Sequence, residues 1–518
     1  MTIHKVDLIV LLVYLAGVVA FGCWFARRSQ SSKNFMSAGG RLPGWAVGLS
    51  IFGSYLSSNS FLGVPGKAFG SNWNAFVFSL SIPIAVIIGI KYFIPFYRKT
   101  GEISAYHHLE HRFGPWARTY GVVFFMLTHI ARAGTILFGV SLGLYAMLGW
   151  DIRLIIVISG IAVTAYTLIG GIEAVIWTDV VQSIILTVGA GIVLILLLFK
   201  LDGGGTEAIS YAWDNAKFDM GSLSPSLTQA TFWVTLLYGI FINLNNFGID
   251  QSFVQRYHTA KSEKEAKKSL LIGGLIYVPI SAAFFLIGSL LFSFYQTHPE
   301  YLAQVQLQVM ETRSTGLTGA ELAQQASQLT AADIGDKVFP HFILNFLPIG
   351  FAGILIAALS AAAMSSIDSS LNSSSTVFLT DIYRRYIRPE ATEKQSMRIL
   401  HLSTLVLGAT SITLALSLIR IKSVLDAWWQ MQGIFASGML GLFLLGLISK
   451  KAKSPAAAAA LILGTVIIAW MSLSSKISEL PNYLSNPLHA NMTIVGGTMA
   501  ILLIGIGLSR RSDANPTE

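Results

Sequence analysis

Apolar runs of roughly 20 residues, the length a bilayer demands, follow one another along almost the whole chain. They fall at about 6–26, 45–66, 73–97, 118–148, 153–170, 173–200, 230–255, 269–295, 333–380, 395–420, 424–448, 454–474 and 490–509. The pattern predicts an all-α polytopic membrane protein of about 13 transmembrane helices, with 1–518 as a single membrane domain. Polar residues break the apolar pattern inside three spans. The second, WAVGLSIFGSYLSSNSFLGVPG, holds Gly48, Gly53, Ser54, Ser57, Ser58, Asn59, Ser60 and Gly63. The seventh, LYGIFINLNNFGIDQSFVQRY, holds Asn243, Asn245, Asn246, Gly248, Asp250 and Gln251. The third case lies in the stretch Gly353 to Tyr383, where Ser365, Asp368, Ser369, Asn372, Ser373 and Thr376 recur at helical spacing on one face.

A polar row facing lipid would be expensive, so this serine helix must face protein, water or an ion. Ala361, Ala362 and Ala363 just before it permit close approach of another backbone. An oxygen-rich, tightly packed intramembrane face suits a hard alkali cation. The two other interruptions are separated by five spans, an odd number, so the halves they belong to run in opposite directions through the membrane. Paired broken helices in corresponding positions predict a transporter with inverted repeats and a midplane site. There, unwound carbonyls become free for cations and half-helix N-termini attract anions. Solute is expected between the broken helices and the fourth span, with Ser57, Ser58, Ser60, Asn243, Asn245, Asn246 and Arg132 as candidate ligands. A guanidinium in mid-membrane requires an anion. For Arg132 that is either a solute carboxylate or a neighbouring acid such as Asp368. His129, one turn earlier, reads as a packed, hydrogen-bonded core histidine.

Composition narrows the picture. The chain is 53% apolar and only 12% charged, where soluble domains run at about 25% charged. Its net charge of +9 sits in loops between spans, so orientation in the membrane explains it better than nucleic acid. Basic groups follow the first span (Arg27, Arg28, Lys33, Arg41) and the third (Arg98, Lys99, Arg112, Arg118). Others are Arg256 with Lys261, Lys264, Lys267 and Lys268, then Arg384, Arg385 and Arg388, then Lys450, Lys451 and Lys453, and finally Arg510 and Arg511. The positive-inside rule then puts the N-terminus outside and the C-terminus in the cytoplasm. Val6 to Phe25 reads as a retained first helix rather than a cleaved leader. Cys23 is the one cysteine, which excludes an intrachain disulfide framework. His107, His108 and His111 have metal-like spacing but only Glu102 and Glu110 beside them, so metal is not expected there. The connections Leu201–Gln229 and Gln296–Ala332 are expected outside, the second with a short surface helix.

Gly40 to Trp45 (GRLPGW), Gly170 to Gln182 (GGIEAVIWTDVVQ), the QRY at Gln255 to Tyr257, and SSIDSSLNSSS leading into TDIYRR together resemble the sodium:solute symporter family over essentially the whole chain. Within it, the chain is most similar in appearance to bacterial sodium-coupled sialic acid transporters. The resemblance implies a leucine-transporter-type fold with two inverted five-helix repeats, at 45–200 and 230–448. An extra N-terminal helix would precede them at 6–26, and two C-terminal helices would follow within 454–509. It also implies a sodium site of the carbonyls of Gly53, Leu56 and Ala362 with the hydroxyls of Ser365 and Ser366. A second sodium site, present in some members, would map to Asp179, Ser365, Asp368 and Ser369. There Asp368 replaces a serine, and an added carboxylate could strengthen the site, pair with a base or carry a proton. Arg132 matches the arginine that holds the substrate carboxylate. Tyr55 and Ser79 stand where a threonine and a glutamine are expected, which leaves a smaller acid or another sugar open.

The expected function is sodium-coupled import of a small organic solute by alternating access, a sugar acid such as sialic acid or another carboxylate. The alternative is a neutral sugar or other solute. A channel would need a continuous polar pore, and a sensor an appended signalling domain, whereas only SDANPTE follows Arg511. No nucleophile, metal or phosphate-loop motif supports an enzyme. The expected partners are Na+, the solute and the lipid bilayer of the inner (plasma) membrane, with no nucleic acid and no obligate protein partner.

Overall fold

A computed structural model describes residues 4–201, 203–313, 319–419, 424–474 and 481–514. Its long helices are α1 (Lys5–Trp24), α2 (Gly44–Tyr55), α3 (Ser58–Gly70), α4 (Trp73–Thr100), α5 (Pro115–Leu148) and α6 (Ile152–Lys200). After these come α7 (Phe232–Gly248), α8 (Gln251–Thr259), α9 (Glu263–Thr297), α10 (Ala331–Phe346) and α11 (Phe351–Val377). The last four are α12 (Glu393–Ser417), α13 (Val424–Ile448), α14 (Ser454–Leu473) and α15 (Met492–Ala514).

Ten of the described helices are long and apolar enough to cross a membrane, or eleven if α7 and α8 form one span bent by 47°. The expected thirteen is not reached by this measure, for two physical reasons. Neither α2 nor α3 spans by itself, because the chain leaves the helix at Leu56 and Ser57. And 153–170 with 173–200 form one run of 49 residues, which if straight would be about 74 Å long against a ~30 Å hydrocarbon core. It breaks at Gly171, whose φ of 61° and ψ of −167° lie in a region essentially reserved for glycine.

The expected single segment 333–380 is corrected as well. α10 is a separate amphipathic helix with a Thr330–Asp333 capping box, and it ends before Pro348. The serine helix starts afresh at Phe351, and its amino end is held by Asp7 of α1, whose carboxylate accepts from the amides of Gly350 and Gly353 at 2.8 and 2.7 Å. It then runs through Val377 into a wider π-turn segment, Phe378–Ile387. Every residue from Leu355 to Val377 is buried, since α11 is enclosed by α1, α2, α5, α6, α8 and α12. Two short helices, Pro299–Arg313 and Ala320–Ser327, occupy the connection after α9, where one was expected; residues 314–318 lie outside the described residues.

Candidate ion and solute sites

The end of α2 and the middle of α11 come together face to face. A helix end leaves its last carbonyls without intrahelical amides. Phe52 O still accepts from Leu56 N at 3.0 Å, but Leu56 (φ −90°, ψ 98°) and Ser57 (φ −95°, ψ 172°) are extended. Ser54 O turns instead to side chains, accepting from Ser366 Oγ at 3.3 Å and from Arg132 Nη2. Contact between the helices depends on Gly53. A Cβ there would lie 3.2 Å from Ser365 Oγ and 2.5 Å from Ser183 Oγ.

The hydroxyls of α11 divide into two kinds. Ser360, Ser370 and Ser373 donate to the carbonyl four residues back, a packing role, and Ser369 does so while also accepting from Arg256. Ser366 reaches across to α2, and Ser365 Oγ is buried without a hydrogen bond of normal geometry. A buried hydroxyl left unpaired costs free energy, so the unpaired oxygen fits a cation ligand. The residues present therefore suit sodium: neutral oxygens at Ser365 and Ser366 beside the carbonyls released at the α2 break. Ala362, fully buried one turn before Ser366, lies within the uninterrupted helix.

Below this meeting point lies a cluster of buried charges. Asp179 of α6 and Asp368 of α11 are each wholly buried. Between the helices lies Arg256 of α8, which the sequence pattern grouped with the loop lysines. That placement is corrected, since Arg256 is fully buried and the largest such side chain. Its Nη2 donates to Asp179 Oδ2 at 2.9 Å, Ser54 Oγ at 2.6 Å and Ser369 Oγ at 2.7 Å. Its Nε donates to Ser50 Oγ at 2.8 Å and its Nη1 to Ser252 O at 2.6 Å. Asp179 also accepts from Ser50, while its Oδ1 makes no hydrogen bond. Asp368 accepts from Tyr166 OH at 2.7 Å and has only a 3.3 Å contact with Ser369. Two carboxyl groups share one guanidinium, so the second needs either a cation or a proton.

The solute candidates assemble around a half-open cavity of about 740 Å³, mouth included. Tyr55, Ser57, Ser60, Ser79, Arg132 and Asn246 line it. Ser58, Asn243 and Asn245 do not: Ser58 Oγ donates to Ile136 O, and Asn243 bonds Tyr55 and Ser81. Tyr55 fills the gap between the two broken helices, its ring 4.8 Å from that of Tyr277. Arg132 donates to Ser54 O and, among the described residues, makes no ion pair with Asp368. His129 is a core histidine as expected, with Nε2 3.0 Å from Asp250 Oδ2.

Sequence reasoning gave Ser54 and Arg256 no place in a site, and it passed over the cavity walls Phe78, Tyr277, Ser281, Trp429 and Gln432. The one available signal was Gln430 to Gln432 interrupting an apolar span. Asn372 and Thr376, further along the serine helix, accept from Gln255 Nε2 at 3.1 and 3.2 Å. At the basic end, Arg118 pairs with Asp381 at 2.6 Å and with Glu110 at 2.7 Å. Burial opposes the Glu110 charge, but hydrogen bonds from Arg118 and Arg385 outweigh it and hold the carboxyl below its usual range. Among the described residues no group of three or more His, Cys, Asp or Glu is disposed to hold a metal, and His108 packs on Phe96 and Phe443.

Comparison with known proteins gives this geometry its context. The model of the sodium:solute symporter family matches residues 35–464. The sodium/sialic acid symporter SiaT of Proteus mirabilis is 35% identical, over 89% of this chain and 88% of its own. The sodium/sialic acid symporter NanT of Aliivibrio fischeri is 33% identical, over 91% and 88%. The solved substrate-bound outward-open state of a Na+-coupled sialic acid symporter has a TM-score of 0.85 at 32% identity, covering 98% of each chain. Mhp1, a nucleobase-cation-symport-1 family transporter, shares the fold alone, with a TM-score of 0.50 at 14% identity over 94% of this chain and 96% of its own. The fold is of the leucine-transporter type that the resemblance implied. The chain belongs to the sodium:solute symporter family: it is a multi-pass membrane protein, a symporter whose coupling ion is sodium.

Proposed function

We propose that this symporter imports a sugar acid, with sialic acid as the leading substrate. The observation that carries this reading is Arg132. It lines the cavity at the point where the first broken helix opens, and among the described residues the lining contains no Asp or Glu. A buried guanidinium in such a lining favours an anionic group on the solute. The names of the relatives, sodium/sialic acid symporters, point the same way. A neutral sugar is the second reading. It is favoured by Tyr55, which takes up space between the broken helices, and by the bond Arg132 already makes to Ser54 O.

The sodium ligands in this proposal are the carbonyls of Gly53, Leu56 and Ala362 with Ser365 and Ser366. A second cation is assigned to Asp179, Ser365, Asp368 and Ser369, supported by Asp179 Oδ1 and Ser365 Oγ, which make no hydrogen bond of normal geometry, and by a second buried carboxyl, Asp368, beside the single Arg256. With both carboxyls ionised, one monovalent ion makes that cluster neutral. Sodium ties α2 to α11, completes the solute cavity, and leaves with the solute when the opposite side opens. The two inverted repeats are 45–200 and 230–448. The chain sits in the inner membrane with its N-terminus outside, which turns the Arg118–Asp381–Glu110 network to the cytoplasm.

Uptake of labelled sialic acid into proteoliposomes, titrated with sodium, tests both parts. Accumulation is expected only with an inward sodium gradient. Arg132→Ala should raise KM for the acid at least tenfold, about 1.4 kcal/mol, with neutral-sugar binding unaffected. Asp368→Asn should lower the Hill coefficient for sodium towards one. Equal sialic acid KM in Arg132→Ala would remove the carboxylate anchor. An unchanged Hill coefficient and sodium affinity in Asp368→Asn would remove the second ion.

A further inference from the structure

A second cavity lies behind the serine helix, on the side turned away from the ion ligands. Its walls include Leu15 of α1, Val140 of α5 and Val163 of α6, and its floor is Ala363, Met364 and Ile367 of α11. The empty space is about 890 Å³, mouth included. Apart from Ser159 and Ser360 the lining is aliphatic side chains, Met364 and Trp150. Ser360 Oγ already donates to Ile356 O at 2.9 Å. Such a space offers water too few polar partners to hold it.

Three facts say what fills it. The lining runs over 8–19 of α1, 137–148 of α5 and 155–163 of α6. Those are the last turns of α5, the first of α6 and the middle turns of α1, so the cavity runs from the Trp150 end towards the middle of the membrane. Leu12, Leu154 and Ile158, beside the opening, are 52%, 50% and 50% exposed, and in a membrane-spanning chain they face hydrocarbon. Trp150 marks the outer end, where interfacial aromatics gather, and Met364 and Ile367 mark the deep end, near the ion site.

We propose that this cavity is a binding site for one acyl chain of a bilayer phospholipid, entering from the leaflet at the Trp150 end. The chain reaches the back of α11 at Met364 and Ile367, residues that flank Ser365 and Ser366 in sequence. It thereby braces the helix whose other face holds sodium. Nothing in the solute or sodium sites requires it.

Native mass spectrometry of the full-length protein, exchanged into mild detergent with phosphatidylethanolamine, reads the site directly. One phospholipid should survive activation that strips the others. Ala363→Phe and, separately, Val163→Phe push a ring into the space from two walls, and each should lose that lipid while sodium still stabilises the protein to heat. The delipidated parent should need several-fold more sodium for half-maximal stabilisation, and Ala363→Phe should not change on delipidation. Retention of the lipid by both folded variants, or no tightly held lipid on the parent, overturns the proposal.

Discussion

At Arg256 a full positive charge sits where solvent does not reach, so its energy depends on the oxygens around it. Those oxygens come from α2 (Ser50, Ser54), α6 (Asp179), α8 (Ser252) and α11 (Ser369). One side chain thus ties the second broken helix to the first and to the serine helix. Breaking a buried pair by removing one partner costs about 3–5 kcal/mol, because the other charge is left bare. Arg256→Ala is therefore expected to lower thermal stability sharply and to abolish uptake. Asp179→Asn added to Arg256→Ala removes the stranded charge and should recover most of the stability without recovering coupled transport. If the double variant is no more stable than Arg256→Ala, measured by thermal unfolding in detergent, Asp179 is not the partner that matters. Arg256→Lys tests geometry, since a lysine keeps the charge but loses the fork that reaches five oxygens at once.

Elements show which parts of this molecule a sequence reveals. Ser365 to Thr376 stood out because polar residues at helical spacing in an apolar run demand a buried partner, and the structure buries every one of them. The breaks at Leu56 and Ile249 stood out because Gly, Ser and Asn clusters compete with helical hydrogen bonds. Arg256 was hidden because it lies five residues before Lys261, in a stretch whose charges look like a loop. Only the bend between α7 and α8 carries it back into the core. The start of α11 was hidden too, as apolar residues run on from α10 through Phe346 and the separating turn is only Leu347 to Gly350. Gly171 belongs at this scale, because it lets one unbroken apolar stretch become two spans. Its backbone conformation is unavailable to other residues at a cost of about 1–3 kcal/mol, and a Cβ would lie 3.0 Å from Phe35 Cα. Gly171→Ala should therefore cost at least that much in thermal stability, whereas Gly191→Ala in the same helix, where a Cβ meets nothing within 4 Å, should cost nothing or stabilise slightly. Equal effects at the two positions would show that the turn is not strained.

For the whole molecule the question is how sodium and solute come to move together. The structure offers a short physical link. Arg132 Nη2, from the solute cavity, and Ser366 Oγ, from the ion site, both donate to the same carbonyl, Ser54 O. The Ser54 hydroxyl lies 2.9 Å from Ser369 Oγ and accepts from Arg256. An acid that draws Arg132 towards itself relaxes its claim on Ser54 O. An ion that draws Ser366 does the same from the other side, so each ligand leaves the carbonyl freer for the other arrangement. Linkage then fixes the arithmetic: the factor by which sodium raises solute affinity equals the factor by which solute raises sodium affinity. A tenfold factor corresponds to about 1.4 kcal/mol of coupling. Calorimetric titration of solute at low and high sodium, and of sodium with and without solute, should return one common factor for the parent. Ser366→Ala removes one claimant on Ser54 O. It should reduce both factors together, while the solute affinity measured without sodium stays near that of the parent. A variant that lost sodium affinity but kept the parent's coupling factor would mean that the two sites communicate by another route, through the Arg256 cluster rather than through Ser54.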